Sequence, residues 1–401
     1  MQKKRLDKLF YSDPKNYVQE YRKRFDDPDT YHLPIQIGEQ PAFFYVTPEI
    51  LRQVAVIERT DKAVSAYEHR LPDQAIIQFI LYSMIGEVLQ TNRIEGVHST
   101  RKDISTVLQN PDKKQRFHGI IRKYRRLSRA EIIPLETSQD IRNLYDELFS
   151  DEIAFMDEKD LPDGEIFRKG TVGVHSASDK KIHSGLYPES KIIDTMDHAL
   201  KFLNDDSVDI LIRIAVFHYL FGYIHPFYDG NGRTSRFISS YLLAKHLRPL
   251  MGCRISYTIK ENISRYYEAF KICNDSKNKG DLTPFIEMFL GIVETAEQNL
   301  LKALAERTER LEYYHLRVDL LPDVQKYKKQ PDLYKVLTEA ALFSENGIAR
   351  HELQERIKVS ANTLSVMLSH IPEQMLLKKR EGRKDYYMLD LDAVDSYLTS
   401  L

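Results

Sequence analysis

The sequence predicts an all-α protein with a short β-hairpin inside its helical core and a small α+β region at its C-terminal end. Three observations carry this. Two apolar segments with helical spacing, 211–224 and 234–246, flank a short glycine-rich stretch. Within the core only 167–188 breaks the helical pattern, with two alternating runs around a turn. After residue 330, three short helical patterns are followed by two strand-like runs.

At 401 residues the chain is long enough for two or three domains. Its 58 Lys and Arg against 59 Asp and Glu leave a net charge of −1, so no global basic field points to nucleic acid. Cys253 and Cys273 give neither a disulfide framework nor a metal cluster, which fits a reducing cytoplasm. The opening MQKKRLDKLF has basic residues but no apolar stretch, so no signal peptide is expected. No apolar run reaches the roughly 18 residues of a membrane span. The expectation is a cytoplasmic protein with no membrane partner.

Residues 1–72 read as a partly irregular N-terminal extension, polar and rich in Tyr, broken by Pro14, Pro28 and Pro34, with a strand-like run at 42–46. From Asp73, the residues Ile76, Phe79, Ile80, Met84, Val88 and Leu89 share one broad helical face, and Gly96 suits a C-cap. Residues 101–160 read as charged helices, including one over 141–149. The basic run Arg122-Lys123-Tyr124-Arg125-Arg126 reads as a solvated helix face. The runs 167–175 and 181–188, on either side of Ser176-Ala177-Ser178-Asp179, predict a hairpin.

The segment 211–224 (LIRIAVFHYLFGYI) is apolar almost all round, as in a buried helix, and Pro226 ends it. Then comes His225-Pro226-Phe227-Tyr228-Asp229-Gly230-Asn231-Gly232-Arg233-Thr234-Ser235-Arg236. Gly230-Asn231-Gly232 falls at the start of the next helix, where unpaired N–H groups and the positive end of the dipole bind anions. The glycines let a phosphate approach the backbone and permit positive φ. Arg233 and Arg236, three apart, share a helix face and should point to the same anion. Asp229 would repel bare phosphate but could hold a Mg²⁺ that bridges to it. His225 alone in the stretch exchanges a proton near neutral pH, which makes it the candidate general base. A zinc pair of His225 and Asp229 is disfavoured, because Pro226 and the glycines interrupt the helix such a pair needs. Further on, 284–297 reads as an apolar helix that continues as a charged one to about 318.

HPFYDGNGRTSR is similar, at every specified position, to the motif His-Pro-Phe-x-Asp/Glu-Gly-Asn-Gly-Arg-x-x-Arg of the Fic (filamentation induced by cyclic AMP) family. That resemblance implies transfer of AMP from ATP to a Tyr, Thr or Ser hydroxyl of a target protein, with pyrophosphate leaving. It makes His225 the catalytic base, Phe227 the anchor of the loop, and Asp229 the ligand of Mg²⁺. Gly230, Asn231, Gly232, Thr234 and Ser235 would line the ATP-binding anion hole, Arg233 would face the leaving phosphates, and Arg236 would hold the γ-phosphate. Gly232 favours AMP transfer, since relatives that act as kinases carry a bulkier residue there. Tyr266, Tyr267 and Asn274 would surround adenine and ribose; without the resemblance the two tyrosines would pass for core residues. Thr91-Asn92-Arg93-Ile94-Glu95-Gly96 resembles the family's Ser/Thr-x-x-x-Glu-Gly/Asn inhibitory motif, which implies that Glu95, with Thr91, blocks the partner of the γ-phosphate. The hairpin resembles the family's flap, so Ile182 and His183 would clamp the target segment. The likeness covers roughly 73–300, with the inhibitory helix at 73–96 and a helical linker at 301–330.

Residues 331–401, three helices and a hairpin around a basic glycine turn, resemble a winged helix-turn-helix. DNA and protein both stay open as its partner, and so does a homodimer. Two rival functions follow: removal of AMP from a modified target, with Glu95 orienting water, and a DNA-binding regulator whose Fic pocket only senses nucleotide.

Overall fold

The computed structural model describes residues 4–109, 115–127, 132–175, 181–381 and 384–401. Apolar residues recur at intervals of three and four through most of the chain, and 67% of the described residues are helical. Two compact units form: 1–61 with 84–298, and 62–83 with 299–401.

In the first unit the helix Ile210–Ile224 packs on both Glu189–Leu203 and Asn231–His246. Ile210–Ile224 is buried on every side, as its sequence requires. Asp209 caps its start by accepting from the Leu211 N–H at 2.8 Å. At its other end His225 takes the left-handed conformation, φ 53°, and the chain turns into the glycine-rich stretch.

The N-terminal part is more regular than its prolines suggest. Pro14 and Pro48 each open a helix, Pro14–Phe25 and Pro48–Glu68, where a missing N–H costs nothing. Pro34 lies in Thr30–Ile37, which pairs antiparallel with Gln40–Tyr45; the register shifts between His32 and Gln36, around the proline. Phe43 and Phe44 are wholly buried, and Phe43 exchanges backbone hydrogen bonds with Gly280 and Leu282.

The basic run 122–126 is only partly a solvated face. In the helix His118–Leu127, Lys123 and Tyr124 are buried, and Lys123 pairs with Glu147 at 2.7 Å. Glu147 lies in a helical stretch from Ser138 to Met156 that widens over 146–150. The hairpin forms where expected, with Gly173–His175 antiparallel to Lys181–Ser184. Thr283–Leu316 is a single 34-residue helix.

In the second unit Gln330–Phe343, Arg350–Ile357 and Ala361–Ser369 are the expected three helices. The strands Leu376–Glu381 and Lys384–Leu389 pair antiparallel, and the short Ile348–Ala349 adds to the second of them. Leu333, Leu337, Leu353, Leu364 and Val394 form a core of their own. Val394 belongs to a last helix, Leu391–Thr399, which the sequence reading lacked. Among the described residues no helix is long and apolar enough to cross a membrane.

Candidate active site

Where the Ile210–Ile224 helix stops and Asn231–His246 begins, the chain closes on itself through Asn231. Its Oδ1 accepts from the Phe227 N–H at 2.9 Å and its Nδ2 donates to the Phe227 carbonyl at 2.8 Å. Phe227 is wholly buried, stacked on Tyr145 with ring centres 3.7 Å apart and edge-on to Phe167. Gly230, at φ 79°, supplies the left-handed turn from which the next helix starts. The N–H groups of that first turn have no partner inside the helix.

A cavity of about 210 Å³ opens over this start. His225, Asp229, Gly230, Asn231, Gly232, Ser235 and Arg236 line it on one side, and Tyr266, Tyr267 and Phe270 on another. Gly222 makes room for the last of these, since a β-carbon there would meet the Phe270 ring at 2.7 Å. Glu95 also lines the cavity and pairs with Arg236 at 2.8 Å. Arg236 is buried and further held by Thr91, whose hydroxyl accepts from Nε at 2.8 Å and whose carbonyl accepts from Nη2 at 3.1 Å. Burial disfavours its charge, but the Glu95 carboxylate, together with Tyr266 and Tyr267, outweighs this and lifts the guanidinium above its ordinary value.

Arg233 departs from the expectation. It does not line the cavity with Arg236 but is wholly buried, pairs with Glu152 at 2.8 Å, lies over the Phe149 ring and reaches Asp229 at 3.4 Å. Residues three apart on a helix are displaced by about 60° around it, enough for one to face the cavity and the other the 138–156 stretch. Thr234 is turned inward as well, with its hydroxyl donating to the Gly230 carbonyl at 2.8 Å. Asn274 does not line the cavity; its Oδ1 accepts from Tyr219 at 2.7 Å. Ile182 and His183 stand in the second strand of the hairpin, and their side chains lie outside the described residues.

Asp229 accepts from the Gly230 N–H through Oδ1 and keeps part of its carboxylate exposed at the cavity. One cavity-facing carboxylate beside an anion-binding helix start suits Mg²⁺, which commonly takes one or two carboxylates and completes its shell with phosphate oxygens and water. Among the described residues there is no cluster of three or more His, Cys, Asp or Glu that could hold a metal alone.

Supporting residues escaped the sequence reading. Arg168 donates to the His225 carbonyl at 3.0 Å. Tyr228 accepts from the Gly170 N–H at 2.7 Å and donates to Asp163 at 3.0 Å. His218, fully buried, joins Ser239 to Tyr266 with bonds of 2.8 Å each. Burial, helped by the nearby Arg236 cation, pushes its pKa down to about 3, so it stays neutral.

A buried loop here presents a helix start and an arginine to one small cavity of an α-helical unit, and the comparisons give that unit a family. Residues 135–243 match the profile of the Fic/DOC family, and the chain carries a domain of that family. It is similar to the protein adenylyltransferase Fic of Drosophila mojavensis, at 26% identity over 147 residues, 36% of this chain and 28% of that one. It is also similar to the protein adenylyltransferase fic-1 of Caenorhabditis elegans, at 27% identity over 126 residues, 28% of this chain and 23% of that one. The match thus spans about a quarter of the length of these curated relatives. The crystal structure of a Fic family protein from Desulfovibrio desulfuricans G20 shares the fold, with a TM-score of 0.53 at 18% identity over 90% of this chain and 98% of that one.

Proposed function

We propose that the chain is a protein adenylyltransferase that moves AMP from ATP to a Tyr, Thr or Ser hydroxyl of a target protein and is held off by its own Glu95. The observation that carries this reading is the single cavity that brings His225, the open helix start and Arg236 together. The names of the two curated relatives support the reaction class.

In this reaction the target hydroxyl oxygen bonds to the α-phosphorus of ATP, the bond from that phosphorus to the β-phosphate oxygen breaks, and pyrophosphate leaves. His225 takes the hydroxyl proton, which makes the oxygen a stronger nucleophile. The amides at Gly230, Asn231 and Gly232 neutralise phosphate charge with dipoles already in place. Asp229 would hold Mg²⁺, which supplies a further positive charge to the phosphates when bound. Arg233 lends its charge through Asp229, which it touches, while Arg236 holds the far end of the triphosphate once Glu95 releases it. Tyr266, Tyr267 and Phe270 offer ring faces to the base.

Self-inhibition is supported by the room available. The cavity of about 210 Å³ falls short of the roughly 300 Å³ at which ligand pockets begin, and Glu95 fills part of the path to Arg236. With α-³²P-labelled ATP, Glu95→Gly should label itself or a lysate more strongly than wild type, and adding His225→Ala should remove the label. Equal labelling in all three would end the reading.

Glu95 is 30% exposed and faces the cavity, so it could also orient a water molecule toward an AMP-modified target. Incubating such a target with wild type and with Glu95→Gly separates removal from transfer. The C-terminal unit, with its helix pair, its three strands and the basic residues Lys378, Lys379, Arg380 and Lys384, supports a winged helix-turn-helix that binds DNA or protein. A DNA band shift by the full chain at about 0.15 M salt decides between them.

A further inference from the structure

Arg168 is fully buried, yet no carboxylate lies within ion-pair distance of it among the described residues, unlike Arg233 and Arg236. A buried cation without a counter-ion is costly unless its N–H groups all find acceptors. Here they are met by main-chain carbonyls. Nε donates to His225 at 3.0 Å, Nη2 to Leu186 at 2.9 Å, and Nη1 to Gly170. The Arg168 main-chain N–H also donates, at 3.3 Å, to the Pro226 carbonyl.

The three acceptors belong to separate stretches. Gly170 precedes the hairpin, Leu186 follows it, and His225 heads the loop that carries the chemistry. Two backbone bonds, Gly185 to Val172 at 3.1 Å and Leu186 to Ile224 at 3.0 Å, run alongside. Gly185 has no space for a side chain, since a β-carbon there would stand 2.5 Å from Arg168 Nη2 and 3.0 Å from His225 Cβ. His225 meanwhile holds φ 53°, a left-handed conformation that is uncommon for a residue with a side chain.

We propose that Arg168 is a positioning residue, which fixes the His225 main chain in its left-handed conformation and ties it to both ends of the hairpin. A planar fork with donors in fixed directions suits this task, and a lysine, with one flexible ammonium, does not. The inference rests on His225 being the base of the proposed transfer, so its test includes one measurement that needs no activity.

In the Glu95→Gly background, Arg168→Met should lower kcat for labelled AMP transfer by about tenfold to a hundredfold, the cost of a small misplacement. KM for ATP should stay within about twofold, because Arg168 touches none of the groups that bind phosphate. Arg168→Lys should recover only part of kcat, and Gly185→Ala should lower it as well. By hydrogen exchange, amides in 184–187 and 224–227 should open about tenfold faster in Arg168→Met, with those in 234–246 unchanged. Unchanged exchange and unchanged kcat would overturn the proposal, and so would a uniform rise in exchange across the unit. Arg168→Lys gives the same readouts should the methionine variant not fold. A parent that transfers no label sinks the transfer reading instead, and exchange alone then decides the role of Arg168.

Discussion

Gly232 leaves the space that the Glu95 carboxylate occupies: a β-carbon at 232 would overlap Glu95 Oε1 and come within 2.9 Å of Arg236 Nη1. The first turn of one helix and the end of another are therefore matched in shape as well as in charge. In the Glu95→Gly background, Gly232→Ala should weaken ATP binding by about tenfold, because its methyl group stands where a phosphate must approach the backbone. Titration calorimetry measures this. Equal affinity for the two proteins would mean that no phosphate comes near residue 232.

Glu152 and Arg233 are both buried, 4% and 0% exposed, and pair at 2.8 Å. Glu152→Ala strips the carboxylate and leaves a buried cation, at a cost of about 3–5 kcal/mol. Glu152→Gln keeps a hydrogen bond and should cost less. Urea unfolding gives both values, and a Glu152→Ala protein as stable as wild type would show that Asp229 suffices to hold Arg233.

Phe227 packs flat on Tyr145 at a ring separation of 3.7 Å and is wholly buried. Phe227→Ala should destabilise the chain by about 3–5 kcal/mol, and Phe227→Leu by less. Unfolding midpoints check the order of the two.

His218 gives stability a pH dependence of known sign. Its pKa falls from the ordinary 6.5 to about 3 on folding, so below pH 6.5 the unfolded chain takes up a proton that the folded one refuses. Stability is therefore lost as the pH drops from 6.5 toward 3, by up to roughly 1.4 kcal/mol per unit from this group alone. Glu87 and Asp281, whose buried carboxyls titrate above their ordinary values, act in the opposite direction. The difference between wild type and His218→Gln isolates the histidine. Parallel stability curves between pH 6.5 and 4 would refute a neutral, buried His218.

The two helices around the glycine-rich stretch, their break at Pro226 and the hairpin were legible because each rests on neighbours in sequence. Periodicity, a missing N–H and alternation need no knowledge of distant residues. The packing of Arg233 was not legible, for the converse reason. Its partner Glu152 lies 81 residues away, and nothing local to either residue announces the pair. Lys123 and Tyr124 failed in the same way, since the face that covers them comes from another part of the chain. Arg168 sits beside the charged Lys169 at the start of the run 167–175, which hides the fact that its guanidinium is enclosed. The last helix, Leu391–Thr399, has nine residues and only Val394 fully buried, too faint a pattern to stand out. Asn231 teaches a subtler point: the sequence placed it at the anion site, yet its side chain is spent on Phe227, four residues back.

That reciprocal grip of Asn231 on the main chain of Phe227, through both its N–H and its carbonyl, means the floor of the cavity needs no guest to keep its shape. Under the proposed self-inhibition, occupancy turns on the pose of one carboxylate side chain, the one paired with Arg236, and not on domain closure. Such a latch can be strengthened or loosened by evolution at one residue, while the surface beneath it stays as it is.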